Sequence, residues 1–401
     1  MSLKMKKQWG IRAVSFFCAL ALFFFAFSFP VSAEKTAEDT DVTKKSESTS
    51  GEKLPCASAI LMDETTGQVL FEQNADAPLP PASVTKIMTL LLVMEAVDSG
   101  KIQLSDPVTV STHAASMGGS QVYLKEGESM CVEEMVKCVV ISSANDCAVA
   151  LAEFVAGSES AFVDEMNRRA AELGMKNTHF ENTNGLDDTA VNHVTSARDI
   201  AIMSRALLSH PTILTYSGIW MDSIRDGAFG LTNTNRLVRF YPGCTGLKTG
   251  STAKAKFCIS ATAKRDGLSL ICVIMAADSR DIRNQTAAAL LDRGFAGYSA
   301  YSHEGESFVL PVKGGVSPEV KTESAAFGAV VPKGSAGRVE VVKELPEFLK
   351  APVMAGDEVG QLIFKLDGNE IGRTPIRACE GVEKISFGTL FFRILAKFLL
   401  S

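Results

Sequence analysis

Residues 83–97 read SVTKIMTLLLVMEAV and follow the chain breaker LPPA at 79–82. The run has helical length and is apolar nearly all round, so no face of it suits water. Such a helix must be enclosed on every side, and the two flanks of the sequence offer the enclosure. Upstream, SAILM and QVLFE flank ETTG at 64–67, which predicts a β-hairpin. Downstream, FCISATA, the turn KRDG at 264–267 and LSLICVIMAA predict a second hairpin, followed by a helix over 284–298. Residues 102–200 between them read as mostly helical. Strand pair, helical middle, strand pair and helix predict an α/β (α+β) domain over 56–300, with a helical subdomain and a sheet assembled from both ends.

The texture changes over 303–378. Short β-rich runs around Phe308, Ala326–Val331, Gly337–Val342 and Gly360–Leu366 are separated by Gly, Pro and Asp-Gly turns, which predicts a small all-β domain. From 384 the chain reads KISFGTLFFRILAKFLLS. Ser386, Thr389, Arg393 and Lys397 recur at helical spacing, with Phe387, Phe391, Ile394, Leu395 and Phe398 opposite. That is an amphipathic helix with a basic polar face, shorter than a span and suited to lying in a membrane interface. The alternative is a terminal helix docked on the protein's own core. At the other end, Lys4, Lys6, Lys7 and Arg12 precede an apolar run and the small-residue site VSA at 31–33, which predicts a signal peptide over 1–33. The alternative there is an uncleaved anchor. Residues 34–55, rich in charge, Ser and Thr, read as a disordered leader.

Four of the 40 basic residues and none of the 46 acids lie in 1–33, so the net charge of −6 becomes −10 without that segment. A nucleic-acid binder needs a basic footprint, and none is present. Eight cysteines remain after Cys18 is lost with the signal. An even number in an exported chain permits disulfides, but Cys138, Cys147, Cys258 and Cys272 sit in apolar stretches where a thiol acts as a small hydrophobe. Mostly free, buried thiols are expected. No Cys/His spacing suggests a metal, and nothing calls for a cofactor.

Ser83 and Lys86 have the SxxK spacing, which puts amine and hydroxyl on one helix face. Serine needs a base to become nucleophilic, and a lysine serves only if desolvation lowers its pKa, as Ile87, Met88, Leu90 and Leu91 would do. Three other SxxK matches lack this setting: Ser32 straddles the cleavage site, Ser50 lies in the leader, and Ser251 opens no apolar helix. The sole SxN, Ser143–Asn145, falls in a helical region, and the sole KTG, Lys248–Gly250, just precedes the second hairpin. There Gly250 would let a substrate backbone approach an edge strand.

SxxK, SxN and KTG in this order resemble the penicillin-recognising serine acyltransferases. The strings PPASVTKIMT, GGSQVYLKEGE, SSANDCAVALAE, TSARDIAIMSRALL and GLKTGST are similar to the low-molecular-weight D-alanyl-D-alanine carboxypeptidases. The resemblance implies a β-lactamase/transpeptidase-like catalytic domain without metal or cofactor. It makes Ser83 the nucleophile, Lys86 the general base and Ser143 a proton shuttle to the leaving D-alanine. Asn145 would hold the substrate amide and the lysine, and Lys248 and Thr249 would receive the terminal carboxylate. Ser83 and Ser251 N–H groups would form the oxyanion hole. Within TSARD, Asp199 is a candidate supporting residue or simply a helix N-terminal charge. The implied partners are peptidoglycan stem peptides ending in D-Ala-D-Ala, β-lactam antibiotics and, through the C-terminal helix, the outer face of the cytoplasmic membrane.

Ser251 stands where some relatives carry His after KTG, which leaves the deacylation step open. Arg236 and Arg239 are candidates for a second cation at the carboxylate. A β-lactamase on the same scaffold would need an ExxLN loop, and Glu181–Leu186 lacks that order. An endopeptidase acting on cross-links, and a non-enzymatic penicillin sensor, are the other readings.

Overall fold

The computed structural model describes residues 53–187 and 190–399. The predicted signal, most of the leader (34–52) and the last two residues of the terminal helix lie outside the described residues, as does the side chain of Lys397.

Strands β1 (Ser58–Asp63) and β2 (Val69–Gln73) form the first hairpin. Helices α1 (Lys86–Asp98), α2 (Asn145–Ala156), α3 (Glu159–Glu172) and α4 (Ala197–Leu208) follow. The chain then returns as β3 (Cys244–Thr252), β4 (Lys256–Arg265) and β5 (Leu268–Ala277), and closes with α5 (Arg280–Gly297). These strands make one antiparallel sheet in the order β2-β1-β5-β4-β3, so the sheet is indeed built from both ends of the domain.

Strand periodicity sorts the core into two layers. Ile60, Met62, Ile271, Val273 and Met275 face the helical layer, where Ile87 to Leu91 and Val93 to Met94 of α1 are buried on all sides apart from Thr89 and its bonds. Leu61, Leu270, Cys272 and Ile274 face α5 through Ala287, Leu290 and Leu291. The closing helix starts at Arg280 rather than at 284, because Ser279 caps it by accepting from the Ile282 N–H.

No gap separates α5 from the β-rich region: β6 (Tyr298–His303) begins where the helix ends. Seven more strands follow, β7 (Ser307–Lys313), β8 (Glu319–Ser324), β9 (Phe327–Pro332), β10 (Val339–Glu344), β11 (Leu349–Lys350), β12 (Glu358–Leu366) and β13 (Asn369–Ala378). They form a six-stranded sheet and a β6–β9 ribbon, joined by Phe327 stacked on Phe364 with ring centroids 4.0 Å apart. Backbone bridges Gly315–Lys384 and Val353–Val382 carry the pairing past β13. Helix α6 (Phe387–Leu399) comes last, with Phe387, Phe391 and Phe392 exposed. Its Arg393, read as part of the basic polar face, is exposed and donates to the Val316 carbonyl. No helix among the described residues is long and apolar enough to cross a membrane. The eight described cysteines are free, four of them buried.

Candidate active site

The breaker before α1 does more than end a loop. Ala82–Thr85 form a tight 3-10 turn that runs into α1, and Ala82 itself sits at φ 49°, in the left-handed region. Ser83 is thus on the turn, and Lys86 is the first residue of the helix. Lys86 is completely buried, and its Nζ lies 2.9 Å from Ser83 Oγ, 2.6 Å from Asn145 Oδ1 and 2.8 Å from the Asn184 carbonyl. Burial, reinforced by the nearby Lys248, lowers its pKa well below the ordinary lysine value, against a smaller opposing pull from Asp146. An ammonium would have to donate all three protons here. A neutral amine donates two, to Asn145 and Asn184, and offers its lone pair to the serine hydroxyl.

The SxN segment departs from expectation. A wide helical turn, Cys138–Ser142, precedes it, and Ser143 is left-handed at φ 63°. A non-glycine residue there costs of order 1–3 kcal/mol, and such cost concentrates at functional sites. Asn145 is not inside a helix but opens α2, so its propensity cost disappears. Its Nδ2 donates to the Gly118 carbonyl at 2.7 Å and its N–H to Ser120 O at 2.7 Å. The next residue, Asp146, accepts from the Val122 and Leu124 N–H groups, pinning the 118–124 loop to the positive end of α2.

KTG lies on β3, the edge strand of the sheet. A Cβ on Gly250 would come within 2.9 Å of the Pro81 carbonyl and the Ser83 and Val84 nitrogens. The glycine is therefore required for the edge strand to meet the nucleophile's own turn, a different reason from the one the sequence suggested. Thr249 Oγ1 donates to Thr234 Oγ1 at 2.8 Å. Lys248 is 1% exposed and donates to its neighbour's carbonyl, Thr249 O, at 2.9 Å. Burial and then the charge of Arg283 bring its pKa down to about 7.

Ser83, Ser143, Thr249, Gly250 and Ser251 line one cavity of about 650 Å³. Lys248 stands behind its wall, and its amine does not reach the open space. Asp199 is elsewhere. It is the third residue of α4, its N–H bonds the capping Ser196 hydroxyl, and its carboxylate accepts from Asn177 N–H and the Thr178 hydroxyl. Of its two expected roles, the helix-end one is what these contacts describe. Glu181 accepts from Val191 and Asn192 N–H groups and is not part of the cavity lining. Arg236 lines the cavity, whereas Arg239 lies 5.6 Å from the ring centres of Trp220 and Phe240 at the rim.

Sequence reasoning missed Asn184, Arg280 and Arg283. Asn184 acts through its backbone carbonyl, which no motif can announce. The two arginines come from the start of α5, 30 or more residues past KTG, and reach the cavity only because α5 folds back across the sheet.

Comparison with known proteins agrees across three independent measures. The D-alanyl-D-alanine carboxypeptidase family matches residues 43–279, and the C-terminal domain of penicillin-binding protein 5 matches 320–384. The chain is 42% identical over 346 residues to D-alanyl-D-alanine carboxypeptidase DacF of Bacillus subtilis, covering 84% of this chain and 88% of that one. It is 35% identical over 352 residues to DacC of Escherichia coli, covering 84% and 87%. Penicillin-binding protein 5 from Haemophilus influenzae superposes with a TM-score of 0.74 at 28% identity, over 83% of this chain and 99% of that one.

Proposed function

The chain belongs to the D-alanyl-D-alanine carboxypeptidase family and is a serine-type D-Ala-D-Ala carboxypeptidase; from that premise we propose how its residues divide the work. Lys86, held neutral, takes the Ser83 hydroxyl proton while Oγ attacks the carbonyl carbon of the penultimate D-alanine. The developing oxyanion is received by the Ser83 and Ser251 N–H groups. As the C–N bond breaks, Ser143 passes the proton to the leaving D-alanine, and Asn145 holds the substrate's peptide amide. Water then releases the shortened stem peptide from Ser83, with Lys86 again the base.

The terminal carboxylate is received at Thr249, with Gly250 keeping the strand close and Arg283 supplying the cation that sequence alone did not name. Lys248 acts from behind β3 through its charge. β-Lactams are read as the same terminus and acylate Ser83. Glu181 is tied to its own loop, and among the described residues the cavity lining carries no carboxylate to serve as a β-lactamase base, so the penicilloyl adduct persists. Helix α6 rests the enzyme on the outer face of the cytoplasmic membrane, where the stem peptides are.

The observation that carries this reading is the 2.9 Å approach of Lys86 Nζ to Ser83 Oγ in a site that disfavours the ammonium. It is tested by D-alanine release from diacetyl-L-lysyl-D-alanyl-D-alanine. Ser83→Ala lowers release by at least about a thousandfold, the scale on which nucleophile removal acts, and abolishes covalent penicillin labelling. Equal release by the variant and the wild type overturns the assignment.

A further inference from the structure

The cavity holds more positive charge than one carboxylate needs. Arg236, Arg280 and Arg283 line it, and Arg239 is stacked at its rim. Among the described residues none of the four forms an ion pair with a carboxylate, whereas Arg169, Arg198, Arg225 and Arg265 each hold one. The cations also act on one another. Burial first, and then the charges of Arg280 and Arg236, disfavour the Arg283 guanidinium, while Cys258 and the weaker Asp281 oppose them. Gathering unpaired cations around an open space is unfavourable unless an anion enters it.

The position of this charge follows from the bonds on the page. Thr249, which receives the terminal carboxylate in the reading above, is bonded to Thr234, and Thr234 is two residues from Arg236. Asn233 N–H donates to the Trp220 carbonyl at 2.9 Å. The wall therefore runs from Thr249 through Thr234 to Trp220 and Arg236. With the terminal carboxylate at Thr249, this wall adjoins the leaving residue, which carries that carboxylate. Trp220 and Phe240 meet edge to face with centroids 6.1 Å apart, and Phe240 is 69% exposed, so the wall ends in an aromatic ledge carrying a cation. The methyl side chain of a leaving D-alanine makes no use of any of this.

We propose that the distal cleft formed by Arg236, Arg239, Trp220 and Phe240 is a subsite for a second carboxylate on the leaving D-amino acid. Peptides ending in D-Ala-D-Xaa with an acidic Xaa side chain are then substrates in their own right. The chemistry is unchanged: the Ser83 Oγ–carbon bond forms, the C–N bond to the acidic residue breaks, and the serine proton ends on the departing amine. This inference rests on the carboxylate end of the substrate lying at Thr249.

The test compares kcat/KM for diacetyl-L-lysyl-D-alanyl-D-glutamate with that for the D-glutamine peptide, which has the same shape without the charge. A preference of about tenfold for the glutamate peptide is expected, equivalent to ~1.4 kcal/mol. It should shrink as salt is raised from low ionic strength, and fall to near one in the Arg236→Gln, Arg239→Gln double variant. Because the ratio is taken within each protein, a partly misfolded variant does not distort it. A wild-type ratio near one, or a ratio the double variant leaves intact, overturns the subsite. Penicillin labelling of Ser83 and D-alanine release from the D-Ala-D-Ala peptide are read on the same samples. If both persist while the ratio is one, only the second-carboxylate subsite fails; if both are lost in the wild type, the underlying reading fails.

Discussion

Lys86 is surrounded by acceptors and by a second amine, and these pull in opposite senses. The acceptors Asn145 Oδ1 and Asn184 O can be served by the neutral amine, while burial and Lys248 disfavour its protonated form. Burial brings the Lys248 pKa down to about 7, so on the acid side of neutrality it carries a charge that disfavours the Lys86 ammonium. The sign of the consequence is fixed. Acylation requires the neutral amine, so the rate falls as pH drops through the Lys86 pKa. Removing the Lys248 charge raises that pKa, and the acid limb of penicillin acylation by Lys248→Met moves to higher pH than in the wild type. Second-order acylation rates measured across pH check this, and an unmoved limb would mean that the two amines are not coupled. The same depression costs stability: between the lowered native pKa of Lys86 and the unfolded value near 10, the unfolded chain binds more protons, and stability increases with pH over that window.

At the scale of elements, the site is made by three backbones meeting: the Ala82–Thr85 turn, the edge strand β3 and the 182–185 loop. The loop is fastened to α1 by two bonds, Lys86 Nζ to Asn184 O and Thr89 Oγ1 to Thr183 O at 2.6 Å, and His193 just beyond it bonds the turn through Nε2 to Thr85 Oγ1 at 2.7 Å. Burial lowers the His193 pKa to about 4, and its Nδ1 accepts from the Glu181 N–H, so the ring is neutral and donates through Nε2. Gly185 closes the seam at φ 83°, where a Cβ would lie 1.9 Å from the Ala82 carbonyl. Gly185→Ala is therefore expected to destabilise the fold by about 1–3 kcal/mol. It should also slow acylation by well over tenfold, because the displaced loop carries the Asn184 carbonyl away from Lys86. Thermal unfolding and penicillin acylation measure the two effects; loss of stability with normal acylation would show the loop to be a scaffold only. What was legible here is instructive. SxxK, SxN and KTG were visible because each puts a reactive side chain at a fixed spacing, and the structure brings residues of all three to one cavity or its wall. Asn184, Gly185 and the arginines of α5 were not, because a carbonyl, a missing Cβ and a long-range contact leave no local pattern.

For the whole molecule, the sheet assembled from two hairpins was readable because buried strands and an all-apolar helix have no other way to leave water. The join between α5 and β6 was not, since Tyr-Ser-Ala-Tyr-Ser-His alternates weakly and is defined only by its pairing with β9. The chain's other end poses the sharper question. Helix α6 exposes Phe387 at 85%, Phe392 at 68% and Leu399 at 77%, an apolar surface with a large cost in water. It is tied to the β-rich region by the Arg393 bond to Val316 O and follows directly on the Ile385 N–H to Gly314 O bond. A chain ending at Ile385 retains that last backbone bond and every residue of the catalytic cavity. It should therefore release D-alanine from a soluble peptide within about twofold of the full-length rate, while failing to sediment with anionic phospholipid vesicles that retain the intact protein. Equal sedimentation of both chains would place the membrane contact elsewhere, and loss of peptide turnover on truncation would make α6 part of the fold rather than its attachment to a surface.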